Sequence, residues 1–169
     1  LDQAGLAKQL VPRAYFRLRG AVWVSKNGSH MIALPADELK ITYTFVTDHP
    51  VVGAQFGEYT IDETVFKREL ARARTLVFGR DIDILQRQGL GLGGDVDSVV
   101  IVDDEGYRNS LRYEDELVRH KILDVVGDLG LLGFVQAHIF AVRSGHRLNR
   151  ELMQEMQKQS NLTIGVGER

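Results

Sequence analysis

Glu114–Leu132 reads EDELVRHKILDVVGDLGLL and is the longest periodic segment of the chain. At about 100° per residue, Val118, Ile122, Val125, Val126, Leu129 and Leu132 cover a broad apolar arc, which predicts a helix largely set into a core. Gly133 follows the last apolar residue and is a natural terminator. His120, Asp124 and Asp128 succeed one another at i, i+4 steps and form a narrow polar stripe on the other side, with Lys121 beside it. An imidazole and a carboxylate four residues apart can converge on one point, as two ligands of one metal ion must. The same spacing serves a solvated ion pair on an exposed face, which is the commoner use of it. Three features shift the balance toward the convergent site. The helix is apolar over much of its circumference, Asp128 extends the stripe, and His146 follows in Ser144-Gly145-His146 just after a predicted strand. Functional side chains gather where strands end in loops.

Outward from that helix, the flanking segments read as strands. Phe134–Val142 follows Gly133, and Asn149–Gln159 is predicted to be a second helix that closes the domain. Leu39–Val46 (LKITYTFV) alternates almost throughout and predicts a half-buried strand, followed by the turn Asp48-His49-Pro50 and a strand over Val51–Thr60. Tyr15–Val24 and His30–Leu34 flank Lys26-Asn27-Gly28, a hairpin signal. Asp62 is placed to cap a helix with Phe66, Leu70 and Ala73 on one face. Thr75–Phe78, a helical stretch over Arg80–Gln88, and Ser98–Val102 (SVVIV) make a compact strand–helix–strand unit with the look of an insertion. The fold class expected is α+β: a mixed sheet packed with two helices, plus that small β-α-β insertion. His30 and His49 sit near turns and are expected to be exposed. His138 lies inside a strand, as a packed or edge residue rather than a ligand.

Composition narrows the chemistry. The 169 residues are 44% hydrophobic and 26% charged, which excludes a disordered or fibrous chain and predicts one domain with a real core. With no cysteine, a metal must be held by His, Asp or Glu. A net charge of -2 offers no basic stripe for nucleic acid, and no apolar run reaches the ~18 residues of a membrane helix. The chain opens on Leu1, and Leu1–Leu10 has no signal-peptide layout, so it is expected to begin inside a longer gene product. Gly89, Gly91 and Gly94 match G-x-G-x-x-G, but a predicted helix precedes them and a strand follows. That order is the reverse of the dinucleotide fingerprint, and Gly89 reads better as a helix cap.

Several of these segments, taken together, resemble the zinc-dependent UDP-3-O-acyl-N-acetylglucosamine deacetylases of lipid A biosynthesis. They are Leu39–Tyr43 with Asp48-His49-Pro50, Ala73-Arg74-Thr75, Gly89-Leu90 through Gly93-Gly94, Leu111-Arg112-Tyr113-Glu114-Asp115-Glu116 continuing to Gly127-Asp128-Leu129, and Ser144-Gly145-His146 with Leu148-Asn149. The resemblance covers about Pro12–Leu152, and the block from Arg112 to Asp128 with the later Ser-Gly-His is highly specific as a set. It implies one half of a two-domain deacetylase fold, with residues 1–169 as the second domain and 75–102 as its insertion, lining a passage for the substrate's acyl chain.

The resemblance also implies roles. His120 and Asp124 would be zinc ligands, His146 the general acid, and Asp128 the carboxylate that hydrogen-bonds it and favours its protonated form. Lys121 would contact substrate and Thr75 would lie near the oxyanion. Leu76, Ile82, Gly94 and Val96 would follow the substrate and its acyl chain. Zn2+ would lower the pKa of its water to about 7 and polarise the acetamide carbonyl. The substrate implied is UDP-3-O-acyl-N-acetylglucosamine, with the family's first domain as partner and a cytoplasmic location, which the absence of cysteine and of an export signal fits. Two departures stand out. Thr-Phe-x-Phe becomes Thr75-Leu76-Val77-Phe78, and Gly-Gly-Ser-Leu-Asp-Asn becomes Gly93-Gly94-Asp95-Val96-Asp97-Ser98. The added carboxylate of Asp95 is unfavourable beside a substrate that bears phosphates. The family's third zinc ligand, a histidine, and its general-base glutamate belong to the first domain, and no segment of this chain matches them. A non-catalytic acyl- or metal-binding half that lacks the base is the alternative reading.

Overall fold

The computed structural model describes residues 14–82 and 97–159, with Ala4, Gly5, Ala7, Arg87 and Gly89. Its larger sheet runs β2 (Val22–Lys26), β3 (Ser29–Pro35), β9 (Phe134–Val142), β4 (Leu39–Val46) and β5 (Ala54–Thr60), while β1 (Tyr15–Arg17) lies parallel to the start of β9. β9 is antiparallel to β3 and parallel to β4, with Ile139 opposite both Ala33 and Ile41. The β2–β3 turn places Asn27 at φ 50 and Gly28 at φ 75, the pair of left-handed residues that a two-residue type I′ hairpin requires.

Residues of alternate parity on β3, β4 and β9 point to one face. Met31, Ala33, Ile41, Tyr43, Ala137, Ile139 and Ala141 are all buried there. Two helices cover that face, α2 (Glu116–Leu129) and α3 (His146–Gln159). α2 contributes Val118, Ile122, Val125 and Leu129, and α3 contributes Leu148, Leu152 and Met156. Each large side chain removed from water contributes about 1.5–3 kcal/mol, so this layer supplies the main driving force for folding. The apolar arc read from the sequence is thus the packed face of α2. A Cβ on Gly57 would stand 3.0 Å from Ile122 Cδ1 and 3.4 Å from Val118 Cγ1, so glycine lets α2 lie close against β5. α2 ends in a 3-10 turn over Gly130–Leu132, and Gly133 at φ 88 turns the chain into β9.

A second, three-stranded sheet is built from β6 (Thr75–Phe78), β7 (Val99–Asp103) and β8 (Gly106–Tyr107). β6 and β7 are parallel, as a β-α-β unit requires, and their separate small core contains Val52, Val100, Val102 and Leu117. Arg74 and Glu116 tie this sheet to α2. Glu116 is fully buried and Arg74 is 7% exposed. Glu116 Oε1 accepts from the Arg74 backbone N–H at 3.0 Å and from Nε at 2.8 Å, and Oε2 accepts from Arg74 Nη2 at 3.0 Å and the Arg112 N–H at 2.6 Å.

Several expectations shift. Tyr15–Val24 is two strands rather than one, since Tyr15–Arg17 pairs with β9 and Val22–Lys26 with β3. The second strand begins at Ala54, because residues 51 and 52 form a turn closed by N–H bonds from Val52 and Gly53 to the His49 carbonyl. Asp62 does cap a helix, accepting from the Val65 N–H at 2.7 Å, but only α1 (Glu63–Val65) is α-helical. Phe66–Leu70 is a π turn, which rotates Phe66 out to 37% exposure while Leu70 stays buried. Ala73 is buried beyond the helix rather than on it. α2 begins two residues later than Glu114, and α3 begins at His146 instead of Asn149. His49 is 9% exposed, not exposed as expected. Its ring lies 5.2 Å from that of Phe78, and its Nε2 is 3.5 Å from Asp104. His138 is packed in a central strand, bonded to Thr42 at 2.8 Å and stacked on Phe140. Gly89 stands at φ 70, as a helix cap would, whereas Gly91 and Gly94 fall outside the described residues, as does most of Arg80–Gln88. No helix among the described residues is long and apolar enough to cross a membrane.

Replacing Glu116 with Gln strands the buried Arg74 charge, and urea denaturation is expected to register a loss of about 3 kcal/mol. Burial pushes the Glu116 carboxyl up, but the Arg74 side chain and the Arg112 and Arg74 N–H groups outweigh it and hold the group below the usual carboxylate range. A carboxyl depressed in the folded state contributes stability that is full above its unfolded value, about pH 4.3, and is lost as pH falls through the folded value. The stability of Glu116→Gln should therefore decline less steeply than the parent's below about pH 4.3.

Candidate active site

The packing of its apolar arc fixes how α2 is rotated, and that rotation sets where its polar stripe points. His120 and Asp124 face neither the core nor bulk water, with side chains 18% and 11% exposed. His120 Nδ1 is 3.1 Å from the carbonyl of Ala73, just before β6. A carbonyl can only accept, so Nδ1 carries the proton and donates it. The other ring nitrogen, Nε2, is then directed at Asp124 Oδ1, 3.3 Å away. Two arrangements satisfy that approach: a second proton on the ring, or a cation held by both atoms. Two donors at about 2.0–2.2 Å from a tetrahedral ion stand about 3.3–3.6 Å apart, so the pair fits a shared metal. Asp124 Oδ2 accepts from Lys121 Nζ at 2.9 Å, which fixes the second carboxylate oxygen.

His146 arrives from a distant part of the sequence, at the junction of β9 and α3. Its Nδ1 lies 2.9 Å from Asp128 Oδ2 and 3.1 Å from Oδ1, so the carboxylate sets the Nδ1–H form here too. Nε2 turns toward Asp124 Oδ1, at 3.8 Å. The structure thus brings His120, Asp124, Asp128, Lys121 and His146 into one cluster. The His146 side chain is 69% exposed, the most open of the five to approach from solvent. Among the described residues no three metal-capable side chains converge tightly enough to hold an ion, so His120 and Asp124 offer a pair of donors to which others must be added.

The sequence reading gave no role to several groups that build this cluster. The Ala73 carbonyl has no side-chain signature. Tyr43, buried on β4, donates to the Ser144 carbonyl at 2.6 Å and accepts from the Ser144 hydroxyl at 3.1 Å, which holds the loop ahead of His146. Burial pushes the Tyr43 hydroxyl up to about 12, so it remains a donor across the physiological range. Arg143 takes a left-handed φ of 54, an uncommon state outside glycine. Its N–H donates to Thr44 at 3.1 Å and its carbonyl accepts from Ser29 Oγ at 2.8 Å. Asn149 donates to Asp128 at 2.7 Å.

Of the remaining predicted residues, those described lie on or near the small sheet. Thr75 opens β6, two residues after Ala73, and is half-buried. Leu76 packs against the small core, and half-buried Ile82 follows a 3-10 turn over Gly79–Asp81. Gly94 and Val96 fall outside the described residues.

Comparison with known proteins supplies a family. A family model described as LpxC: UDP-3-O-acyl N-acetylglycosamine deacetylase matches residues 1–158. A protein of Hahella chejuensis named UDP-3-O-acyl-N-acetylglucosamine deacetylase is 40% identical over 166 residues, which cover 95% of this chain and 55% of that protein. Proteins of the same name from Oleidesulfovibrio alaskensis and Leptospira biflexa are 38% identical over 167 residues and 41% identical over 133, covering 97% and 78% of this chain and 55% and 44% of theirs. The chain spans about half the length of the curated relatives it matches. With a match that runs through both sheets and the two helices packed on the larger one, the chain belongs to the UDP-3-O-acyl-N-acetylglycosamine deacetylase family.

Proposed function

We propose that this chain supplies part of the active site of a zinc-dependent deacetylase. Its reaction is hydrolysis of the N-acetyl group of UDP-3-O-acyl-N-acetylglucosamine, the committed step of lipid A biosynthesis. The observation that carries the reading is the 3.3 Å approach of His120 Nε2 to Asp124 Oδ1, with His146 Nε2 aimed at the same carboxylate from 3.8 Å. His120 and Asp124 would hold the zinc, with Ala73 keeping His120 in the tautomer a ligand needs. Bound zinc lowers the pKa of a water toward about 7 and polarises a carbonyl.

The chain's own residues do the rest of its share. Asp128 holds the Nδ1–H of His146, so Nε2 is the nitrogen that can deliver a proton to the departing amine. Lys121 places a positive charge beside the metal pair, where it can meet the substrate. Thr75, at the start of β6, would serve the oxyanion with its hydroxyl. Leu76, Ile82, Gly94 and Val96 would follow the acyl chain through the insertion at 75–102, gaining about 0.8 kcal/mol for each buried methylene. In this reading residues 1–169 are the second of two domains. The third ligand and the general-base glutamate would come from the first, a reading supported by the chain's covering only 55% of two relatives. The enzyme would be cytoplasmic.

Isothermal titration of the chain with zinc tests the metal pair. His120→Ala and Asp124→Ala should each weaken binding by at least about tenfold, the scale already reached by outer-shell losses. Binding indifferent to both would leave a non-catalytic module. Offered UDP-3-O-acyl-N-acetylglucosamine alone, the chain should turn over far below the ordinary enzymatic range of about 1–1000 s⁻¹, because the base is elsewhere. A rate inside that range would contradict the division of the site between two domains.

A further inference from the structure

We propose that Asn149 is a positioning residue: its side-chain amide fixes the Asp128 carboxylate and, through it, the imidazole of His146. The role deepens the deacetylase reading and rests on it for its catalytic meaning.

Asn149 sits in the first turn of α3 and is 2% exposed, among the buried apolar side chains Leu148, Leu152 and Met153. Its Nδ2 donates to Asp128 Oδ2 at 2.7 Å. A carboxylate only accepts, so the amide has one workable orientation, and a flip would set oxygen against oxygen. In that orientation Asn149 Oδ1 is buried and has no hydrogen-bond partner among the described residues. An orphaned buried acceptor costs free energy. Packing alone would be better served by leucine, which is close in size and brings no such cost. The backbone N–H of Asn149 bonds to the Gly145 carbonyl at 3.0 Å, a contact that any residue but proline makes, so starting the helix does not need the amide either. What remains for the side chain is its bond to Asp128.

That bond bears directly on His146. Asp128 Oδ2 receives both the Asn149 amide and His146 Nδ1. The imidazole is 69% exposed, so little besides Asp128 holds its ring. A carboxylate gripped from the buried side has fewer rotamers to offer the imidazole on the open side. Asn149, Asp128 and His146 thus form a chain that starts in the core and ends with Nε2 turned toward Asp124.

Nitrogen-15 imidazole spectra of the 169-residue chain at alkaline pH report which ring nitrogen of His146 carries the proton. In the parent the Nδ1–H tautomer should dominate. In Asn149→Leu its ratio to the Nε2–H tautomer should fall by about threefold or more, the scale of one lost hydrogen bond, while the thermal midpoint holds or rises. An unchanged ratio, or a fallen midpoint with the ratio intact, overturns the proposal and leaves Asn149 a structural residue. Asn149→Ala is read in the same way should the leucine variant fail to fold. The spectra involve neither zinc nor substrate. A failure of the deacetylase reading would appear in the zinc titration of the His120 and Asp124 variants, whereas a failure of this proposal appears only at His146.

Discussion

Glu116 is a carboxylate with no exposed surface, and it accepts four hydrogen bonds, three from Arg74 and one from the Arg112 backbone. Removing both charges from water is expensive, and a pair of this kind need not add net stability. What it adds is placement. Arg74 enters β6 and Glu116 opens α2, so the pair sets the small sheet against the start of the long helix. Ala73 is drawn in with Arg74, and its carbonyl lands on His120 Nδ1, one turn beyond Glu116. Arg74 Nη2 also donates to the Ser110 carbonyl, which ties down the chain ahead of α2. Without this clamp the imidazole would keep its place on the helix but lose the contact that selects its tautomer.

The second half of the cluster is held by a different device. β9 and β4 run parallel in register through Thr44 opposite Val142, and the chain then leaves the sheet at Arg143 in a left-handed conformation. Tyr43 anchors both polar atoms of Ser144 from inside the core. His146 therefore starts a helix at a point fixed by the sheet, while Asp124 and Asp128 come from a helix packed on that same sheet. Two rigid elements meeting over one core can hold separate side chains to ångström tolerances, as a site assembled from loops cannot.

Local pattern carried much of the fold. Leu39–Val46 and Phe134–Val142 appear with the bounds their composition implied, since one alternates and the other is apolar enough for a strand in mid-sheet. The polar stripe of α2 was legible because three side chains at fixed spacing need only helical geometry to align. The failures have non-local causes. The break between β1 and β2 depends on which strand each half finds as a partner. The π turn at Phe66–Leu70 shifts hydrogen bonds by one residue, which side-chain periodicity cannot report. His49 is buried by Phe78 from the small sheet, a neighbour invisible from a turn sequence. In the site, Ala73 contributes only a backbone carbonyl, and Tyr43 and Asn149 act through hydrogen bonds to residues distant in sequence, which local pattern does not show.

We propose that His120 and Asp124 together hold one metal ion beside His146. Anomalous diffraction at the zinc edge, from crystals of this chain grown with zinc, tests it most directly. A single strong peak is expected within bonding distance of both His120 Nε2 and the Asp124 carboxylate, with His146 close by. A peak elsewhere on the molecule, or zinc bound to either residue without the other, would contradict it.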